Sequence, residues 1–138
     1  MTRIYWVILL SALLSACSTF VSSEDREMAR EHLQVGTTQL QSGNYPQALS
    51  TLLTAEKLDP ENAVIQNYLG LAYLMRDRAD LGEIHVRKAL AIQSNYTDAR
   101  NNLSSILNER SKYQESIVEA KIVIQDLTYN APEKPYIN

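Results

Sequence analysis

The 138-residue chain has one cysteine, Cys17, so no intramolecular disulfide can brace it and its stability must come from packing. Its two histidines, His32 and His85, lie far apart without metal-ligand spacing, which leaves both to structural or surface roles. A surplus of cations is also missing. Thirteen Lys and Arg face 16 Asp and Glu, and no basic stripe runs along any segment. That balance argues against nucleic acid and against electrostatic adsorption to anionic lipid. The apolar run Ile4–Leu14 spans 11 residues, well short of the ~20 that cross a bilayer as a helix. The few glycines form no phosphate-cradling loop, and GxSxG, HExxH and a Cys–His pair are all absent. The acidic residues are expected along solvated helix faces, with no pair standing out as a catalytic dyad. The expectation is a protein without enzymatic activity, cofactor, metal or small-molecule substrate.

What is present begins at the N-terminus. Arg3 supplies a positive n-region, Ile4–Leu14 an apolar h-region, and Ser15-Ala16 a small-residue cleavage site. Leu14-Ser15-Ala16-Cys17 has the form of a bacterial lipobox, in which the cysteine becomes the lipidated first residue of the mature protein. An ordinary cleaved signal peptide and an uncleaved anchor are the alternatives. Removing residues 1–16 takes away one basic and no acidic residue, so the net charge moves from −3 to −4. The acidic body then has no electrostatic route to a membrane. Acyl chains on Cys17 would supply one, at about 0.8 kcal/mol per buried methylene with two or more chains needed. Residues 17–28 are read as the lipidated tether and the start of the first helix, with 18–23 flexible.

From residue 29 the chain repeats itself with a period of about 34 residues. Gly36, Gly70 and Ser104 keep that spacing, each after an apolar residue. So do Tyr45, Ala79 and Tyr113; Ala48, Gly82 and Ser116; and Ala55, Ala89 and Val123. The units are 29–62, 63–96 and 97–130. Each divides into helix A and helix B. In the second unit, helix A reads Ala63–Arg76 and helix B Ala79–Ile92, with Leu81, Ile84, Ala89 and Leu90 expected inside. Gly43-Asn44 separates the helices of the first unit, and Pro46 suits the opening turn of the next. Ser111-x-x-Gln114 is read as a capping box. Small residues are expected where helix A meets helix B most closely.

This register of small and apolar positions, with Pro60 closing the first unit, resembles the tetratricopeptide repeat over residues 29–128. The resemblance implies an all-α fold: a right-handed superhelical array of antiparallel helix pairs. It also implies a concave groove along the A helices, with Leu33, Thr37, Leu40 and Gln41 from the first unit. The second adds Asn67, Leu71, Leu74 and Met75, and the third Asn101, Ser105, Asn108 and Glu109. An apolar patch flanked by amides suits an extended peptide, whose backbone the amides can bind. Packing of Leu71 and Leu74 on a neighbouring helix is the alternative. Carboxylate-clamp repeats carry cations at positions that here hold Leu33, Thr37, Tyr68, Asp98 and Asn102, so that mode is not expected.

Residues 131–138 read as the start of a fourth helix A, and the chain is expected to be a fragment of a longer array; a natural short form is the competing view. The tail Asp126-x-x-Tyr129-x-x-Pro132-x-x-x-Tyr136-x-Asn138, with the lipobox, is similar to the pilotins of type IV pilus systems. That likeness implies a lipid-anchored outer-membrane protein facing the periplasm, which binds a secretin subunit and aids its assembly. Ser18 beside the lipidated cysteine fits the outer-membrane destination. The alternative function is a general envelope adaptor recruiting peptidoglycan enzymes or other periplasmic proteins. Ile117, Ile122 and Ile124, at the open end of the third unit, are candidates for self-association or aggregation.

Overall fold

The computed structural model describes residues 21–126, which form six helices and, among the described residues, no strand. They are α1 (Ser23–Gln41), α2 (Tyr45–Leu58), α3 (Ala63–Leu74), α4 (Ala79–Ile92), α5 (Thr97–Glu109) and α6 (Tyr113–Gln125). Each helix packs chiefly on its sequence neighbour, as pairs α1/α2, α3/α4 and α5/α6. The helix pairs stack into an all-α repeat array. Cys17 and the tail from Leu127 to Asn138 lie outside the described residues.

Each helix starts and stops for local reasons. Ser22 and Asp25 close a reciprocal capping box on α1, the Ser22 hydroxyl accepting from the Asp25 N–H at 3.0 Å. Pro46 sits in the first turn of α2, where its missing N–H costs no helical bond. Asn62 caps α3 by accepting from the N–H groups of Val64 and Ile65. The turn from helix A to helix B needs one left-handed residue per unit. Gly43, Asp77 and Ser111 fill that place, one repeat apart, with φ of 75°, 57° and 59°. Ser111 therefore ends α5 instead of capping α6, and the expected Ser111–Gln114 box does not form. Lys112 takes the cap position without a side-chain cap bond. A non-glycine residue pays roughly 1–2 kcal/mol in this region. Ser111→Gly is accordingly expected to raise stability by about 1 kcal/mol, read as a higher denaturant midpoint at unchanged slope.

The core has two clusters. Ala29, Leu40, Ala48, Leu52, Ala55, Ile65, Leu69 and Ala72 join α1, α2 and α3. Val86, Ala89, Ala99, Leu103, Ile106 and Leu107 join α4 to α5. The small positions behave as the repeat predicts. A Cβ on Gly36 would press on Leu52, and one on Gly70 would overlap the Val86 Cγ2. In the third unit the glycines are replaced by serines that bond across the contact. The Ser104 hydroxyl donates to the Ser116 carbonyl (3.1 Å), and the Ser116 hydroxyl returns a bond to the Ser104 carbonyl (2.8 Å).

Two expectations fail on α4. Ile84 is 62% exposed, because the inward face runs through Gly82, Val86 and Ala89, and Ile84 lies about 200° away from Gly82. Val86, buried at that face, takes the place the periodicity gave to Ile84. Glu83 departs from the solvated-face rule for carboxylates, being 6% exposed. Arg87 Nε reaches it at 2.8 Å, Lys112 Nζ at 3.0 Å, and Arg110 through a short ion pair. Burial alone would push this carboxyl up, but hydrogen bonds from Arg87, Lys112 and Arg110 hold it at about 2. The carboxylate fastens α4 to the α5–α6 turn.

Candidate protein-binding groove

Helices α1, α3 and α5 share one side of the array, where α1 touches α3 and α3 touches α5. The sequence-derived groove positions recur on these three helices at the repeat interval, so the period alone aligns them along one face. Their burial differs, and this decides which can meet a partner.

Leu40 is 8% exposed and belongs to the first core cluster, so it supports the groove from behind. Asn67, 3% exposed, is also withdrawn. Its Oδ1 accepts from Asn102 Nδ2 at 2.9 Å, and its own Nδ2 donates to the Tyr96 hydroxyl at 3.4 Å. A buried amide must spend its bonding capacity on neighbours, and Asn67 spends it tying α3 to the following unit. Burial also pushes the Tyr96 phenol up to about 12, against the bond from Asn67, so it stays protonated. The sequence read Asn67 as a groove position and Asn102 only as a place where clamp-type repeats carry a cation. Their pairing was not legible, because they belong to different units and meet only when adjacent A helices pack.

The half-buried apolar residues Leu33 and Leu71 lean on the first core cluster, and Leu74 on the second. Met75 caps α3 and is also half-buried. These four retain surface for contact while being held by the core. Among the polar positions, the Thr37 hydroxyl donates to the Gln34 carbonyl (2.9 Å) and Ser105 to the Asn101 carbonyl (3.2 Å). The side chains of Asn101 and Ser105 are half-buried, while Asn108, Gln41 and Glu109 are exposed. The resulting surface is a partly apolar floor with amides toward the third unit. Its chemistry is adhesive: apolar contact and backbone hydrogen bonding.

Behind this face lies a polar network that the sequence did not show. Gln66, fully buried, donates through Nε2 to Glu56 (2.9 Å) and to the Pro60 carbonyl (3.0 Å). Its Oε1 then faces His85 Nδ1 at 2.9 Å, so the imidazole donates there. His85 also stacks on Tyr73, with ring centroids 5.2 Å apart. Burial lowers its pKa, although the nearby Glu56 carboxylate acts the other way. His85 is thus a structural histidine linking three helices. Among the described residues no group of His, Cys, Asp and Glu could hold a metal ion, and no helix is long and apolar enough to cross a membrane.

A family model described as a TPR repeat matches residues 36–76, which run from Gly36 of α1 through α3. The fold is that of a tetratricopeptide-repeat array. The chain is 30% identical, over a 135-residue alignment, to the type IV pilus assembly protein PilF of Pseudomonas aeruginosa. That alignment covers 93% of this chain and 53% of the relative, so the chain spans about half the relative's length. A solved Pseudomonas aeruginosa PilF structure superposes with a TM-score of 0.71 at 29% identity, covering 78% of this chain and 48% of that one. The second tetratricopeptide domain of Spaghetti (RPAP3), solved with an HSP90 peptide, superposes at 0.70 with 18% identity; 74% of this chain and 94% of that chain are covered. At that identity the likeness concerns the fold alone. The tetratricopeptide array resembles the PilF structure in sequence as well as in shape.

Proposed function

We propose that this tetratricopeptide protein is a lipid-anchored, non-enzymatic scaffold that aids type IV pilus biogenesis as pilotins do, by binding a secretin subunit during assembly at the outer membrane. The observation that carries the reading is the likeness to PilF across 93% of the chain. The lipobox form at Cys17 supports the anchor, which would hold the array on the periplasmic face. Leu33, Leu71, Leu74 and Met75 offer the apolar part of the binding surface, and Asn101, Ser105 and Asn108 the polar part. Thr37 adds a hydroxyl on α1, whereas Leu40 and Asn67 act by shaping the surface from within. The partner is a protein segment docked along the A helices.

The test is genetic and biochemical. Deleting the gene is expected to abolish secretin multimers in the outer membrane, and the full chain carrying Leu71→Asp and Leu74→Asp should fail to restore them. Replacing Cys17 with Ser should release the protein from the membrane fraction. Unchanged multimers after deletion would sink the proposal. Capture of cell-wall hydrolases in place of the secretin subunit would point to an envelope adaptor.

A further inference from the structure

The two joins between successive units are built in the same register but from different chemistry. Gln66 on α3 and Arg100 on α5 stand one repeat apart, as do Pro60 and Ser94 in the turns before them, and His85 on α4 and Glu119 on α6. At the second join, Arg100 donates from Nη2 to the Ser94 carbonyl (2.7 Å) and from Nη1 to Glu119 (2.9 Å). At the first, Gln66 Nε2 donates to the Pro60 carbonyl and to Glu56, and its Oε1 accepts from His85 Nδ1. The second join therefore rests on two groups that stay charged around neutral pH, whereas the first includes an imidazole that titrates there.

His85 Nδ1 already carries a proton, so a second one enters at Nε2 and leaves the ring positive. The ring is half-buried and stacks on Tyr73 of α3. Glu56 of α2 approaches it at 3.8 Å, but that carboxylate already accepts from Gln66 and also faces Lys88 Nζ at 4.0 Å. Lys88, on the same helix as His85, is a like charge, and Glu61 in the α2–α3 turn pairs with it at 3.7 Å. Arg78 and Asp80, at the start of α4, pair with each other. A positive ring thus gains only a shared counter-ion while losing hydration beside a cation. Burial has the largest influence and lowers the His85 pKa from its ordinary 6.5; Glu56 raises it, and Lys88 lowers it further. We propose that the first join is a pH-responsive latch, in which protonation of His85 loosens α2 from α3 and α4 while the Arg100–Glu119 join holds. Because the opened form binds the proton more readily, the latch is at full strength above 6.5 and weakens as pH falls through that value. The latch does not depend on what the groove binds.

Hydrogen exchange of the full chain at about pH 7.5 and about pH 5.5, corrected for the intrinsic pH dependence of amide exchange, tests this. Protection in α2 and in the first turns of α3 is expected to fall about threefold on acidification, with α5 and α6 unchanged. Glu83, with its pKa held at about 2, stays ionised at both values and contributes nothing to the difference. His85→Gln should remove the dependence, and His32→Gln should leave it in place. Equal protection at both pH values overturns the proposal. So does a loss that spreads evenly over the six helices, or one that persists in His85→Gln. Should His85→Gln fail to fold, the ring titration of the wild-type protein decides: an imidazole midpoint below 6.5 supports the latch, and one at or above 6.5 overturns it.

Discussion

Gly70→Ala is expected to be among the most damaging single substitutions in this protein, at about 2–3 kcal/mol, or a fall in Tm of roughly 10 °C or more. The added Cβ would overlap Val86 Cγ2 and would stand 3.0 Å from the Gly82 carbonyl oxygen and 3.3 Å from the Val86 N–H nitrogen. Side-chain motion can relieve the first contact, but the other two are with backbone. Relief then requires α3 and α4 to move apart, which loosens the second unit throughout. Alanine gains up to about 1 kcal/mol in helix propensity, and the estimate already includes that offset. Gly36→Ala provides the comparison. Its Cβ meets Leu52 Cγ and Cδ2 at 2.7 and 2.8 Å, while the nearest backbone atom, the Ala48 oxygen, is 3.6 Å away. The Leu52 side chain can shift, so the cost should be roughly half as large. Thermal and denaturant unfolding of both variants would check the order; a milder Gly70→Ala than Gly36→Ala would refute the close-approach account.

The second large effect is expected at Glu83. Glu83→Gln should lose about 2 kcal/mol at neutral pH, because it removes a buried carboxylate from three cations. The figure lies below that for a fully buried pair because Arg87, Arg110 and Lys112 are a third or more exposed and can return to water. Glu83→Leu should cost less than the glutamine variant. The corresponding residue in the first unit is Leu49, and an apolar side chain leaves no unpaired polar group behind. The pH dependence has a definite sign. With its folded pKa held at about 2, below the ordinary 4.5, Glu83 contributes its full stabilisation above pH 4.5 and loses it as pH falls toward 2. Acid titration of unfolding stability should therefore converge for wild type and Glu83→Leu near pH 2. A constant difference across that range would show that packing, not charge, holds the α4 contact.

These two positions show where sequence reasoning ran well and where it stopped. Gly70 was legible because Gly36 and Ser104 stand one repeat to either side, and a period fixes which residues face a neighbouring helix. Glu83 was not, since its register partners Leu49 and Ile117 are apolar and a carboxylate ordinarily marks a solvated face. Its burial depends on Arg110 and Lys112, which arrive from the turn after the next helix. Ile84 failed for a different reason: apolarity suggested the core, while the helical phase set by Gly82 and Val86 turned it outward. Ser111 was given the role that its residue type favours, but the chain reversal required a left-handed residue there.

The sequence by itself determined the all-α repeat class, the helix pairs and the small-residue contacts, because each follows from a local period of hydrophobicity and size. It also supplied the lipobox form, which is a linear signal. The tertiary structure decided the rest: that Asn67 bonds Asn102 instead of a partner, that Leu40 belongs to the core, that Gln66 and His85 knit three helices, and that Ile117 and Ile124 of α6 lie exposed. Those outcomes depend on residues brought together from different helices and units, and a pairing between segments so far apart in the chain leaves no mark on local periodicity.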